Sequence, residues 1–198
     1  MNSAPMRFTP TELAGVVRVD LEPVVDARGF FARLHCEREF AARGLLAKVA
    51  QTSLSQTRQQ GTVRGMHFQW PPAQEAKLVR CVRGRIFDAV VDLRPNSSTF
   101  GRHVAIELSA ANCAALYIPP GLAHGFQTLE HDCEVLYQMS DFYAADLASG
   151  VRWNDPAFGI AWPLPCAAIH ERDATYPDFD TSVHARELAR RGTWSGPP

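Results

Sequence analysis

Between Gln51 and Tyr143 the chain is a succession of short β-rich runs, each broken by Gly, Pro, Asn or Ser before it can lengthen. That spacing marks antiparallel strands joined by tight turns, and it confines the fold to a β-sandwich or barrel. The clearest pair runs from Lys77 to Leu93, with Arg83-Gly84 between its two strands. In the second strand Phe87, Ala89, Val91 and Leu93 share one face, and Asp88 and Asp92 alternate out of it. A third strand, HVAIEL, places Val104, Ile106 and Leu108 on one side. A fourth, ALYIP, is stopped by Pro119-Pro120-Gly121. In the fifth, Cys133 to Met139, the apolar alternation turns Cys133, Val135, Tyr137 and Met139 toward the barrel interior.

Helical signals are confined to the edges: CEREFAARG at 36–44, ending on Gly44, and HARELARRG at 184–192. The residues after Asp180, ending in TWSGPP, are polar enough to fray. Residues 1–180 are therefore expected to form one domain and residues 181–198 a polar tail. A chain of 198 residues with 46% hydrophobic and 21% charged residues can close a core of its own without staples.

A formal net charge of −1 removes the positive field that nucleic-acid binding requires. An anionic ligand would instead need a local arginine cluster. Cys36, Cys81, Cys113, Cys133 and Cys166 are odd in number, lack CxxC spacing and read as reduced thiols. No apolar run is long enough to span a bilayer, and MNSAPMRFTP has no signal-peptide pattern. A cytoplasmic protein with no membrane or nucleic-acid partner is expected.

Several segments place ionisable side chains inside strand-like sequence: DARGFF at 26–31, VRGMHFQ at 63–69, IPPGLAHGF at 118–126 and EVLYQMSDFY at 134–143. With AKLVRCVRG, VDLRPNS, GVRWNDPAFGIAWP at 150–163 and ERDATYP at 171–177, they occur in an order that resembles the dTDP-4-dehydrorhamnose 3,5-epimerase family from Val19 to Asp180. The resemblance implies an all-β, cupin-like double-stranded barrel (jelly roll) with short peripheral helices, assembled as a homodimer. It implies inversion at C3 and C5 of a dTDP-4-keto-6-deoxyhexose, with no cofactor and no metal.

Taken singly, the key residues are unremarked: His67 a core histidine, Asp173 a turn aspartate, Lys77 a solvated lysine, Tyr137 a core aromatic. The family pattern assigns them to chemistry. His67 is the base, and Asp173 orients its imidazole. Lys77 stabilises the charge that develops on the ketone oxygen, and Tyr137 returns a proton from the opposite face. Gln51, His124 and Tyr143 match substrate-binding positions. Arg28, Arg64 and Arg172 match positions for the diphosphate and nucleotide. Strict alternation turns Arg64 away from His67, so its assignment requires a bulge or strand end near Gly65.

Three positions depart from the family pattern: Arg33 for a glutamate, Ser53 for an asparagine and Ala148 for a glutamate. They leave the proton chemistry intact and put the sugar in question. A single-centre C3 or C5 epimerase of another dTDP-deoxysugar is the alternative, with a non-catalytic sugar-binding cupin behind it. A metal-dependent cupin would show His-x-His; here His67-Phe68-Gln69 leaves His67, Gln69, Glu75 and His124 as a poor ligand set.

Overall fold

The computed structural model describes residues 5–194. The chain opens with β1 (Arg7–Pro10) and β2 (Val17–Asp20), then a separate hairpin, β3 (Val24–Asp26) and β4 (Gly29–Phe31), and the short helix α1 (Glu37–Ala41). The central strands follow: β5 (Gln51–Thr57), β6 (Thr62–Gln69), β7 (Lys77–Arg83), β8 (Arg85–Asp92), β9 (His103–Ser109), β10 (Ala115–Ile118), β11 (Leu122–Thr128) and β12 (Cys133–Met139). Short β13 (Ala148–Gly150) and β14 (Ala168–Ile169) lead to α2 (Glu171–Ala174) and α3 (Thr181–Arg191).

Two sheets face each other. One has the order β1-β2-β10-β7-β12-β5, and the other β13-β6-β11-β8-β9 with β14 beside β6. The non-consecutive neighbours are those of a jelly roll, the expected cupin-type architecture. Between the sheets lie Val79, Cys81, Ile86, Val90, Leu108, Leu116, Ile118, Phe126, Cys133 and Val135, all buried. Tyr137 packs against this cluster, so the expected inward face of β12 does point inward.

Both sheets are also covered outside. Phe40 of α1 closes over Val19, Leu78, Ala115 and Tyr117 on the first sheet. On the second, Phe68, Ala89, Val91 and Leu93 lie under Val151, Phe158, Trp162 and Phe179. The apolar face of β8 is therefore its outer one, and Asp88 and Asp92 are both fully buried. Buried carboxylates need partners. Asp92 accepts from Arg94, Ser97 and Thr99, and Asp88 meets His124.

The segment after Asp180 departs from expectation. Asp180 caps α3 by accepting from the Ser182 and Val183 amides, His184 and Leu188 are buried, and His184 packs on Phe68 of β6 and bonds the Leu93 carbonyl. Trp194 donates from Nε1 to the Gln69 carbonyl at 2.9 Å and stacks on Trp70. Up to Trp194 the segment is thus docked structure, not a fraying tail; the final SGPP lies outside the described residues. At the other helix the expected Gly44 cap is not met: α1 stops at Ala41 with Ala42 as its C-cap, and Gly44, at φ +69, lies in the turn beyond it.

Candidate active site

The site is built around an irregularity in β6. His67 pairs with His124 on β11, but Arg64 pairs with Phe126, so three steps on β6 oppose two on β11. The extra residue is a bulge at Gly65, where φ is +128. The bulge required for Arg64 is present, and Arg64 and His67 line the same cavity of about 560 Å³. Arg64 is held there by Thr57 Oγ1, which accepts from Nε at 2.9 Å, and by the Gln56 carbonyl, 3.1 Å from Nη2.

His67 Nε2 lies 2.7 Å from Asp173 Oδ1. Asp173 is buried, and its other oxygen accepts from the Gly65 amide at 3.2 Å. Burial alone would raise this carboxyl, but the hydrogen bond and charge of His67, the Gly65 amide and the Arg172 charge outweigh it and hold it below its ordinary value. An ionised carboxylate only accepts, so Nε2 carries the ring proton and Nδ1 is the basic atom, without a protein partner among the described residues. Arg172 Nη2 stands 3.3 Å from Nε2, and Arg172 Nε 3.5 Å from Asp173 Oδ1. His170 positions both residues by accepting the Arg172 amide at the start of α2.

The opposite sheet supplies Tyr137 and Lys77. Burial pushes the Tyr137 phenol well up, the negative charge of Asp88 adds to this, and Arg64 partly offsets it. The phenol therefore stays protonated at neutral pH. Its ring meets His124 edge to face at 6.0 Å, and His124 Nε2 is 2.7 Å from Asp88 Oδ1. Lys77 is not a solvated lysine. Its Nζ pairs with Glu75 at 3.2 Å and donates to the His67 carbonyl at 3.3 Å.

A second lobe of about 190 Å³ adjoins, lined by His67, Lys77, Arg172, Tyr143 and Ala148. Tyr143 is largely exposed at its lip. Gln51 lines neither of these two lobes; its Oε1 accepts the Tyr143 amide at 2.6 Å and so positions that lip. Arg28 is not brought to the site within this chain: it sits on the exposed β3–β4 hairpin, paired with Asp26. Of the three departures, Arg33 is spent on Glu39 at 2.8 Å. Ser53 is exposed opposite Tyr137, and Ala148 pairs with Gln69.

Residue-type reasoning passed over Asp88 and His170, and it saw Gln69 only as a weak metal ligand. Gln69 accepts the Ala144 amide at 2.7 Å and donates to the Phe142 carbonyl at 3.2 Å, fastening the Tyr143 loop. Its signal was legible, two residues beyond His67 on one strand face. Asp88 was visible as an acid between apolar neighbours, but alternation alone does not say which face is the interior.

Groups able to take a proton from one sheet and give one from the other, across a pocket in a jelly-roll barrel, define a cupin-type epimerase. The chain belongs to the dTDP-4-dehydrorhamnose 3,5-epimerase family, whose model matches residues 10–181. It is 39% identical over 175 residues to the dTDP-4-dehydrorhamnose 3,5-epimerase of Sinorhizobium fredii, covering 88% of this chain and 90% of the relative. Identity to the enzyme of that name from Methanothermobacter thermautotrophicus is 41% over 176 residues, covering 87% and 94%. The crystal structure of NovW, a 4-keto-6-deoxy sugar epimerase from Streptomyces spheroides, superposes with a TM-score of 0.86 at 33% identity, covering 98% and 96%.

Proposed function

We propose that this protein is an isomerase that inverts C3 and C5 of a dTDP-4-keto-6-deoxyhexose, in deoxysugar biosynthesis of the dTDP-rhamnose type. The observation that carries the reading is the placement of the His67–Asp173 pair and Tyr137 on opposite sheets around one cavity. His67 Nδ1 takes the proton from a carbon beside the ketone, and the C–H electron pair moves to the ketone oxygen as an enolate. Asp173 stabilises the imidazolium, and Lys77 offsets the oxygen's charge. Tyr137 then protonates the carbon from the other face, and solvent exchange resets both groups. The sequence of steps leaves the oxidation state of the sugar unchanged, so it calls for no redox cofactor, and the charge on the enolate oxygen is met by Lys77.

Arg64 and Arg172 face the cavity and suit the diphosphate. Arg28 would serve from a partner subunit: its hairpin carries Val24, Val25, Phe30 and Phe31, all at least half exposed, which fits a homodimer interface. Five unpaired thiols fit the cytoplasm. Among the described residues no helix is long and apolar enough to cross a membrane.

The test is NMR of dTDP-4-keto-6-deoxyglucose with the protein in deuterium oxide. Deuterium at both C3 and C5 is expected. Label at one carbon favours the single-centre reading, which the altered pocket position Ala148 supports; no exchange at either leaves a sugar-binding cupin.

A further inference from the structure

Resting on that reading, we infer that Ser55 is a substrate-positioning residue whose hydroxyl bonds an oxygen of the hexose ring beside the reacting carbons. Ser55 lies on β5, opposite Val135 of β12. It lines the cavity that holds His67, Lys77 and Tyr137. Its Oγ is buried and has no hydrogen-bond partner among the described residues. A hydroxyl removed from water without a partner is a standing cost to the fold, and native structures rarely retain one unless a ligand or an ordered water completes it.

The neighbours on the same strand face narrow the ligand. Alternation puts Ser53, Ser55 and Thr57 on one side of β5, opposite Tyr137, Val135 and Cys133 respectively. Thr57 already accepts from Arg64, a candidate for the diphosphate. Ser53 stands level with the proton donor but is exposed. Ser55 therefore occupies the step between the arginine and the acid, where the hexose must lie if Arg64 holds phosphate and Tyr137 reaches a ring carbon. A neutral hydroxyl, able to donate and accept, matches a sugar hydroxyl; charge for the phosphate comes from the arginines.

Ser55→Ala and the near-isosteric Ser55→Cys test this, each measured for turnover of dTDP-4-keto-6-deoxyglucose, affinity for dTDP alone, and Tm. Both should lower kcat/KM by about threefold to tenfold, the range for one lost neutral hydrogen bond, while dTDP affinity holds. Neither should lower Tm, because the unpartnered hydroxyl contributes nothing to folding. Unchanged kinetics in both variants would overturn the inference. So would a loss confined to Ser55→Ala, which would make volume the cause, or a lower Tm, which would reveal a structural partner. A parallel fall in dTDP affinity would assign the hydroxyl to the diphosphate and overturn the hexose contact. A wild-type protein that exchanges no ring proton defeats the epimerase reading instead, and the two failures are thereby told apart.

Discussion

Gly65 lies so close against Gly125 that a Cβ at position 65 would stand 2.4 Å from the Gly125 Cα. The contact is what permits β6 to bulge, and the bulge is what turns Arg64 and His67 into one cavity. Gly65→Ala should therefore cost upward of about 3 kcal/mol, from the positive φ and the backbone clash together. Denaturant unfolding measures the loss. A stability within experimental error of wild type would show that the bulge has slack.

The His67–Asp173 pair makes two demands on one carboxylate. His67→Asn and Asp173→Asn should each lower turnover by about 10² to 10⁴, with nucleotide affinity retained, since the role proposed for the pair is proton transfer. Near-normal turnover in either variant would place the base elsewhere. Asp173 also links the fold to pH. Its folded value is depressed, so its contribution is present above the ordinary carboxyl range, near 3.8, and is lost as pH falls through the folded value. Acid unfolding of Asp173→Asn should accordingly be less steep below about pH 4 than that of wild type.

In the proposed mechanism Tyr137 returns the proton that His67 abstracts, and Lys77 serves the enolate between the two steps. Tyr137→Phe should block inversion while His67 still exchanges ring protons with deuterium oxide, returning each to the face it left. Lys77→Ala should depress exchange and inversion together, because the enolate loses its counter-charge. If Tyr137→Phe stops exchange as completely as Asp173→Asn, the two-sided mechanism is wrong. With its phenol pushed well up by burial, Tyr137 should also impose no loss of rate on the alkaline side between about pH 7 and 9.

His184 locks α3 to the barrel by donating from Nε2 to the Leu93 carbonyl at 2.7 Å, within rings from Phe68, Trp70, Phe179 and Trp194. Burial pushes the imidazole below its ordinary 6.5, and the Leu93 bond only partly opposes this. A depressed histidine stabilises the fold fully above its unfolded value and less as pH falls through the interval down to its folded one. Tm should drop as pH falls below about 6.5 in wild type and drop less in His184→Gln. Parallel curves would remove His184 as the source.

The β3–β4 hairpin projects Phe30 and Phe31 beside Arg28, with Phe30 61% and Phe31 54% exposed. In the proposed homodimer, Phe30→Asp should shift the protein toward monomer in sedimentation and lower dTDP affinity, whereas Arg28→Ala should lower affinity alone. An unchanged dimer in Phe30→Asp would move the interface elsewhere.

Strand positions were legible from the sequence because two-residue alternation is a local property. The inward face of Cys133–Met139 and a short helix within 36–44 follow from residues within a few positions of one another, and the break near Gly65 follows once the resemblance places Arg64 in the site. The ordered motifs also carried the family and pointed to His67, Asp173, Tyr137 and Lys77, which the fold brings around one cavity. What the chain meets at long range was decided by tertiary structure. His67 finds Asp173 at a separation of 106 residues, through a bulge and a four-residue helix that no periodicity announces. Asp88 faces the interior only because a C-terminal layer claims the apolar side of β8. The segment after Asp180 reads as polar, yet His184, Leu188 and Trp194 suffice to dock it, since burial depends on what a side chain packs against and not on the average character of its neighbours in sequence.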